Sequence, residues 1–378
     1  MNTYEKRIDT LCEWMHSNHI DAVVIEDAEN RRSKNLRYLT GMHSDAVLVV
    51  FSDKTTILMP WDIIQAEKTA RADKIIAFSE FERNPVKAVS SVCADNLLGG
   101  RIELSSQTPY LLYSEISAAM KGFEIVCRAD GVAEKLMNMR AVKDKEEINL
   151  YKRAGKMTDK LIDALEGGFR DGSIKTETDA AMFVEAESRR LGAEGSSFET
   201  LAAGPTRSWG IHCIPAYSAG PIGCAASDGS GGLSIIDCGL NVDGYATDIT
   251  MTICCGELSD KQHQMVELVS RAHAIGAEAG TIQQVSAKAV ASAVDEVFAA
   301  AGWTMPHSLG HGIGLDVHEA PTLKNHPIYD QPILPGMIFT IEPGLYDAEA
   351  GGVRLENDYL MTEKGAIALT SSRIVMLR

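Results

Sequence analysis

The sequence has 378 residues, of which 45% are apolar and 23% charged. That supports two domains or one large one with a substantial core, and excludes wholesale disorder. Its formal net charge of −16 opposes the phosphate neutralisation that drives nucleic-acid binding, and no run of about 18 apolar residues suggests a membrane partner.

In chain order, residues 4–19 predict an amphipathic helix and not a signal peptide. Residues 22–25 read as a short apolar strand. The segment 35–41 leads into a strand at 46–51, and Asp53-Lys54 turns the chain into a neighbouring strand at 55–59. Helix and strand signals alternate to about residue 128, which predicts a small α/β domain over residues 1–135. A polar stretch at 139–147 then opens a long helix to about Leu165, and the second domain is placed at 136–378. Further helices are expected at about 176–191, 260–280 and 283–301. Strands with many glycines are expected at 233–239, 245–253, 337–342 and 352–361. The second domain is therefore expected to be α+β, with helices on one side of a mainly antiparallel sheet. Residues 227–232 read as a low-complexity loop, and no solenoid repeat is present. The eight cysteines are scattered without a Cys-x-x-Cys pair. Each reads as small buried filler in a reduced, cytoplasmic protein.

The chemistry is concentrated in the second domain. Asp237 and Asp248 flank Asn241-Val-Asp-Gly244, a hairpin signal. With Asp243-Gly244 as a two-residue loop, Asp237 faces Thr250 and the two aspartates become diagonal neighbours on one face. Two carboxylates in such apolar strands resist ionisation unless a cation neutralises them. His307, His311 and His318 fall within a glycine-rich segment, with Gly310, Gly312 and Gly314 around His311. Imidazoles there can ligate a metal, move a proton or donate to an oxyanion. Glu342 closes an apolar run just before a proline that stops strand pairing. Arg354 and Glu356 are two apart, hence on one face of a strand, where the arginine can orient the glutamate. Four carboxylates and one imidazole form an oxygen-rich set. It suits two divalent ions, manganese first, with cobalt, iron or zinc as alternatives.

These motifs as a set resemble the pita-bread metallopeptidases. The two-domain layout is similar to the aminopeptidase P, prolidase and creatinase branch, with Asn35-Leu-Arg-Tyr-Leu-Thr-Gly41 resembling the signature of its creatinase-type N-terminal domain. The resemblance implies that Asp237, Asp248, His311, Glu342 and Glu356 hold the metals. It gives Glu342 a second role as proton acceptor and makes His318 and His212 contacts for the reacting carbonyl. It makes His307 a further active-site histidine and Arg354 the arginine before the last glutamate. It also implies a homodimer acting on peptides with proline in second position. Such a bond is a tertiary amide with no N–H for ordinary peptidases to grip.

One departure is Met251, where the family often has arginine; alternation turns it away from Asp248. Trp209 and Ile211, before His212, are candidates for pocket lining or for packing. A rival is a creatinase-like small-molecule hydrolase or lyase on the same scaffold. A second is a binding module that has lost its ligands, which the intact set opposes. A simple methionine aminopeptidase would not need the first domain.

Overall fold

The computed structural model describes residues 2–226 and 232–377, so the serine- and glycine-rich piece at 227–231 lies outside the described residues. The chain divides into two compact units, Met1–Arg140 and Ala141–Arg378. No described helix is long and apolar enough to cross a membrane.

The first unit is built on a six-stranded mixed sheet. Its order is Lys74–Ile75, Thr56–Pro60, Ala46–Phe51, Ala22–Asp27, Gly100–Leu104, Phe123–Cys127. Ala22–Asp27 runs antiparallel to Ala46–Phe51 and parallel to Gly100–Leu104. The first helix, Thr3–Ser17, starts from a reciprocal cap between Asn2 and Glu5, which satisfies amides left open at a helix start. Residues 35–41 form most of a short helix, Lys34–Thr40, stopped by Gly41 at φ 77°, a conformation that glycine adopts without steric cost.

Among the described residues the second unit holds four α-helices, Lys145–Arg170, Glu177–Leu191, Asp260–Gly280 and Ala287–Ala300. They do not lie on one side of a single sheet, as expected from the sequence. The strands divide among several small sheets, and the helices act in two pairs, each with its own core. Leu161, Ile162, Leu165 and Val184 of the first pair pack with Ile236, Ile249, Met251 and Ile253. Met265, Val269, Val290 and Phe298 of the second pair pack with Leu309, Phe339, Ile341 and Tyr359.

The hairpin register is the one that a two-residue loop dictates. Val242 pairs with Tyr245 and Asp237 with Thr250. Asp243 and Gly244 take positive φ, 49° and 83°, as a tight primed turn requires. The expected strand 245–253 is nevertheless two, Tyr245–Ala246 and Ile249–Cys255, in different sheets. Gly239 lies so close to the turn that a Cβ there would sit 1.7 Å from the Thr247 carbonyl oxygen. The chain kinks at 247–248 and passes to the next sheet.

The expected strand 352–361 also divides, into Gly351–Arg354 and Asn357–Thr362. Leu355 N–H donates to the Pro343 carbonyl and Glu356 N–H to the Thr250 carbonyl. The backbone thus changes partners there, so Arg354 and Glu356 do not share one continuous strand, although both side chains meet at the Thr250 hydroxyl.

The reading of every cysteine as unpaired filler is corrected. Cys224 and Cys255 form a disulfide across 31 residues, bringing a short turn at Gly223–Ala226 to the end of the strand Ile249–Cys255. Six cysteines stay free, and Cys127 among them is exposed.

Candidate metal centre

The strand Ile249–Cys255 shows how the sequence builds the site. Ile249, Met251, Ile253 and Cys255 enter the core under the first helix pair. Thr250 and Thr252 point the other way, as period-two alternation demands: Thr250 Oγ1 donates to Glu356 Oε2 at 2.7 Å and Thr252 Oγ1 to the Arg354 carbonyl at 2.8 Å. Met251 is fully buried opposite Ile236, so the residue standing in for an arginine serves packing. Trp209 is half-exposed and donates its indole N–H to the Thr206 carbonyl. The Ile211 carbonyl accepts from Arg354 at 3.2 Å.

Most of the candidate ligands sit where regular pairing stops or shifts. Asp237 is near the end of Gly232–Cys238, Asp248 lies just before Ile249–Cys255, and Glu342 follows Ile338–Ile341. Glu356 lies in the break before Asn357–Thr362, and His311 sits at a register shift in Gly310–Gly312. There side chains can leave the alternating pattern and converge. His311 Nε2 lies 3.7 Å from Asp248 Oδ2 and 3.6 Å from Glu342 Oε1. One donor atom each from Asp248, His311 and Glu356 lie within 4.8 Å of one another. Asp237 joins through Arg354, whose buried guanidinium donates to Asp237 Oδ2 at 2.6 Å, Thr250 Oγ1 at 3.0 Å and the Tyr346 hydroxyl at 2.7 Å.

The histidines surround this cluster. His307 Nδ1–H donates to the Ser308 carbonyl at 2.8 Å, and Nε2 accepts from the Tyr346 hydroxyl at 3.1 Å. His307 also lies 3.9 Å from Glu342 Oε2 and lines a cavity of about 270 Å³ shared with Trp303, Met305 and Lys324. The His318 ring centre is 4.1 Å from that of His311. His212 is exposed, and its charge would act on both His307 and His318.

The electrostatics call for a cation. Burial, then the charge of Glu356, holds Asp248 and Glu342 well above the usual carboxylate range. Burial and Asp237 raise Glu356, against hydrogen bonds from Thr250 and Thr340. Burial presses His307 and His311 down to about 4 and lowers His318 as well, so these rings are neutral at pH 7. His311 Nδ1–H donates to the Gly312 carbonyl at 3.0 Å, which leaves Nε2 with a free lone pair, the form a metal needs. Buried oxygens Asp237 Oδ1 and Asp248 Oδ1 have no hydrogen-bond partner. Orphaned carboxylate oxygens are costly, and a divalent ion is the partner that fits this donor set.

Four contributors escaped sequence reading. Thr250 and Asp358 had a usable signal, each two residues beyond a site carboxylate. The second oxygen of Asp358 accepts from the Asp248 amide at 3.2 Å. Tyr346 and Thr340 had none, because contacts between distant strands bring them in.

Asp248, His311 and Glu356, with Glu342 and Asp237 beside them, form a candidate metal centre of the kind a metal-dependent hydrolase uses. Residues 149–363 match metallopeptidase family M24, and residues 7–142 match the creatinase/prolidase N-terminal domain. The chain belongs to metallopeptidase family M24. A Xaa-Pro dipeptidase of Pyrococcus horikoshii is 29% identical, with 98% of this chain and 99% of that protein covered. An uncharacterized peptidase of Bacillus subtilis is 32% identical over 89% of this chain and 91% of its own length. Among solved structures, the prolidase of Pyrococcus horikoshii is 28% identical with TM-score 0.80, covering 97% of this chain and 98% of its own. The X-Pro aminopeptidase of Thermotoga maritima is 25% identical with TM-score 0.83, covering 98% and 99%.

Proposed function

We propose that this metallopeptidase hydrolyses the peptide bond preceding proline at the N-terminus of peptides. Asp237, Asp248, His311, Glu342 and Glu356 would hold two divalent ions, manganese first because the donor set is mostly hard oxygen. The observation that carries the reading is the cluster of Asp248, His311 and Glu356, with Glu342 beside His311 and Asp237 held by Arg354, together with orphaned buried oxygens on Asp237 and Asp248. Bound ions supply Lewis acidity, acidifying water and polarising the scissile carbonyl. Glu342, kept as a carboxylate by the bound ions, would accept the proton lost by the attacking water. His318 and His212 donate hydrogen bonds to the developing negative charge on the carbonyl oxygen. His307, locked by Ser308 and Tyr346, presents a neutral ring beside Glu342. Arg354 fixes Asp237 and balances part of the negative charge.

The proline preference draws on the two named relatives, a Xaa-Pro dipeptidase and an X-Pro aminopeptidase. Because these are peptidases, the creatinase-like small-molecule reading is not favoured. A homodimer, implied by the resemblance, completes the proposal and is tested by light scattering. The cytoplasmic assignment rests on the scattered cysteines, six of which stay free, and the Cys224–Cys255 disulfide opposes it.

The deciding assay uses enzyme loaded with manganese, then cobalt, on Ala-Pro, Ala-Pro-Ala, Ala-Ala and Met-Ala-Ala. Asp248→Ala and chelator serve as controls. Cleavage before proline, lost in both controls, is expected, and the dipeptide-to-tripeptide ratio separates prolidase from aminopeptidase P. No cleavage of any peptide by metal-loaded enzyme would overturn the proline-directed reading.

A further inference from the structure

Behind His318 lies a buried ion pair with no part in the chemistry above. Lys143 Nζ donates to Glu319 Oε2 at 3.2 Å, and both side chains are essentially inaccessible, 0% and 1% exposed. A buried pair of this kind is weak evidence for stability, because desolvation consumes most of the attraction. Its placement suggests a different purpose.

Glu319 directly follows His318 and opens the strand Glu319–Leu323, where it pairs with Gly312 next to His311. Its other carboxylate oxygen, Oε1, accepts the Asp316 amide at 3.1 Å. One carboxylate therefore pins both ends of the turn that presents His318. Gly314 leaves room for it: a Cβ there would lie 2.2 Å from Glu319 Oε2. The far side of the turn is held as well, since Gly314 N–H donates to the Asp316 carbonyl and the Gly314 carbonyl accepts from Ala246 N–H, both at 2.9 Å.

Lys143 is itself anchored. Its amide donates to the Gly336 carbonyl at 2.9 Å, and the next residue, Asp144, caps the long helix Lys145–Arg170 through the amides of Glu146 and Glu147. The ammonium is thus fixed to the helix scaffold and the carboxylate to the loop.

We infer that Lys143 and Glu319 form an internal strut that positions His318 against the reacting carbonyl, making both positioning residues for hydrolysis. This rests on the peptidase reading above. It differs from a packing role because the strut ends at Glu319, the residue next to His318, and so restrains the turn that carries that imidazole. A misplacement of about 1 Å in such a group can cost about a hundredfold in rate.

The test uses the full-length, metal-loaded enzyme. Glu319→Gln keeps the shape and the oxygen that accepts from Asp316, but weakens the grip of Lys143. It is expected to lower kcat on Ala-Pro about a hundredfold with little change in KM. In a His318→Ala background the same change is expected to do nothing further. The double variant Lys143→Met with Glu319→Gln removes both charges of the pair together. It is expected to fold with wild-type Tm and to keep the low kcat. A second readout needs no activity: imidazole NMR spectra of metal-free protein with labelled histidine, in which Glu319→Gln should move the His318 signals and leave those of His273 in place. A loss that multiplies in the His318→Ala background, or an unmoved His318 signal, would overturn the strut. A wild-type enzyme inactive on every peptide would sink the peptidase reading instead, and the NMR arm would still decide the strut.

Discussion

Strip the protein of metal and raise the pH from about 7 to about 8.5, and the carboxylate cluster should loosen the fold. Glu356, Asp248 and Glu342 are all raised in the folded state, by burial first and then by neighbouring carboxylates. A group with a raised folded pKa contributes stability that is fully present below its unfolded pKa and is lost as pH rises through the folded one. For Glu356 that folded value is about 8. Between pH 7 and 8.5 this group alone removes about 1 kcal/mol of stability. Asp248 and Glu342 push the same way. In a domain of this size 1 kcal/mol shifts Tm by about 2–4 °C, so the metal-free protein should melt at least that much lower at the higher pH. The window begins above the ordinary histidine pKa, so the depressed rings of His307 and His311 contribute little to the slope.

Glu356→Gln makes the experiment specific. Among charges, Glu356 is the largest raising influence on Asp248, Glu342 and Asp358. Removing it should relax all three, flatten the pH dependence and raise the metal-free Tm at pH 8.5. The variant should also bind metal poorly. Calorimetry in chelator at both pH values measures the slopes, and metal titration at pH 7 measures the affinity. The reasoning is refuted if metal-free wild type is as stable at pH 8.5 as at pH 7, or if Glu356→Gln melts lower than wild type at pH 8.5.

Two further outcomes are expected. Arg354→Met removes four hydrogen bonds and the cation beside Asp237, and should weaken metal binding about 10- to 100-fold, read by calorimetric titration. Reduction of the Cys224–Cys255 bond, which closes a loop of 31 residues, should cost about 3–4 kcal/mol of stability. Peptide mapping without reductant should recover the linked pair, and unchanged Tm after reduction would count against it.

Much of the site was legible because local rules set it. The Asp243-Gly244 turn fixed the register that pairs Asp237 with Thr250, and Pro343 marked the strand end at Glu342. What stayed hidden depends on distant backbone. Nothing near Gly351–Arg354 announces that the chain will swap partners at Leu355 and Glu356, since the partners are Pro343 and Thr250. The kink at Thr247 was missed for the same reason: Gly239 permits it, yet a lone glycine does not say which carbonyl will approach it. Tyr346 reaches His307 and Arg354 only because separate strands meet. Cys224 looked like filler because its partner lies far along the chain.

The scattered origin of the five candidate ligands has a consequence for how the enzyme matures. They span residues 237 to 356, and they lie between two helix pairs that each own a separate core. Neither half supplies all five candidate ligands alone, and a partly folded chain presents no complete set. Long-range closures of this kind come late in folding, and an ion that binds only the finished arrangement adds its binding energy to that state alone. Metal uptake should therefore act as a latch on completed folding, and it should discriminate native molecules from every earlier species in the cell.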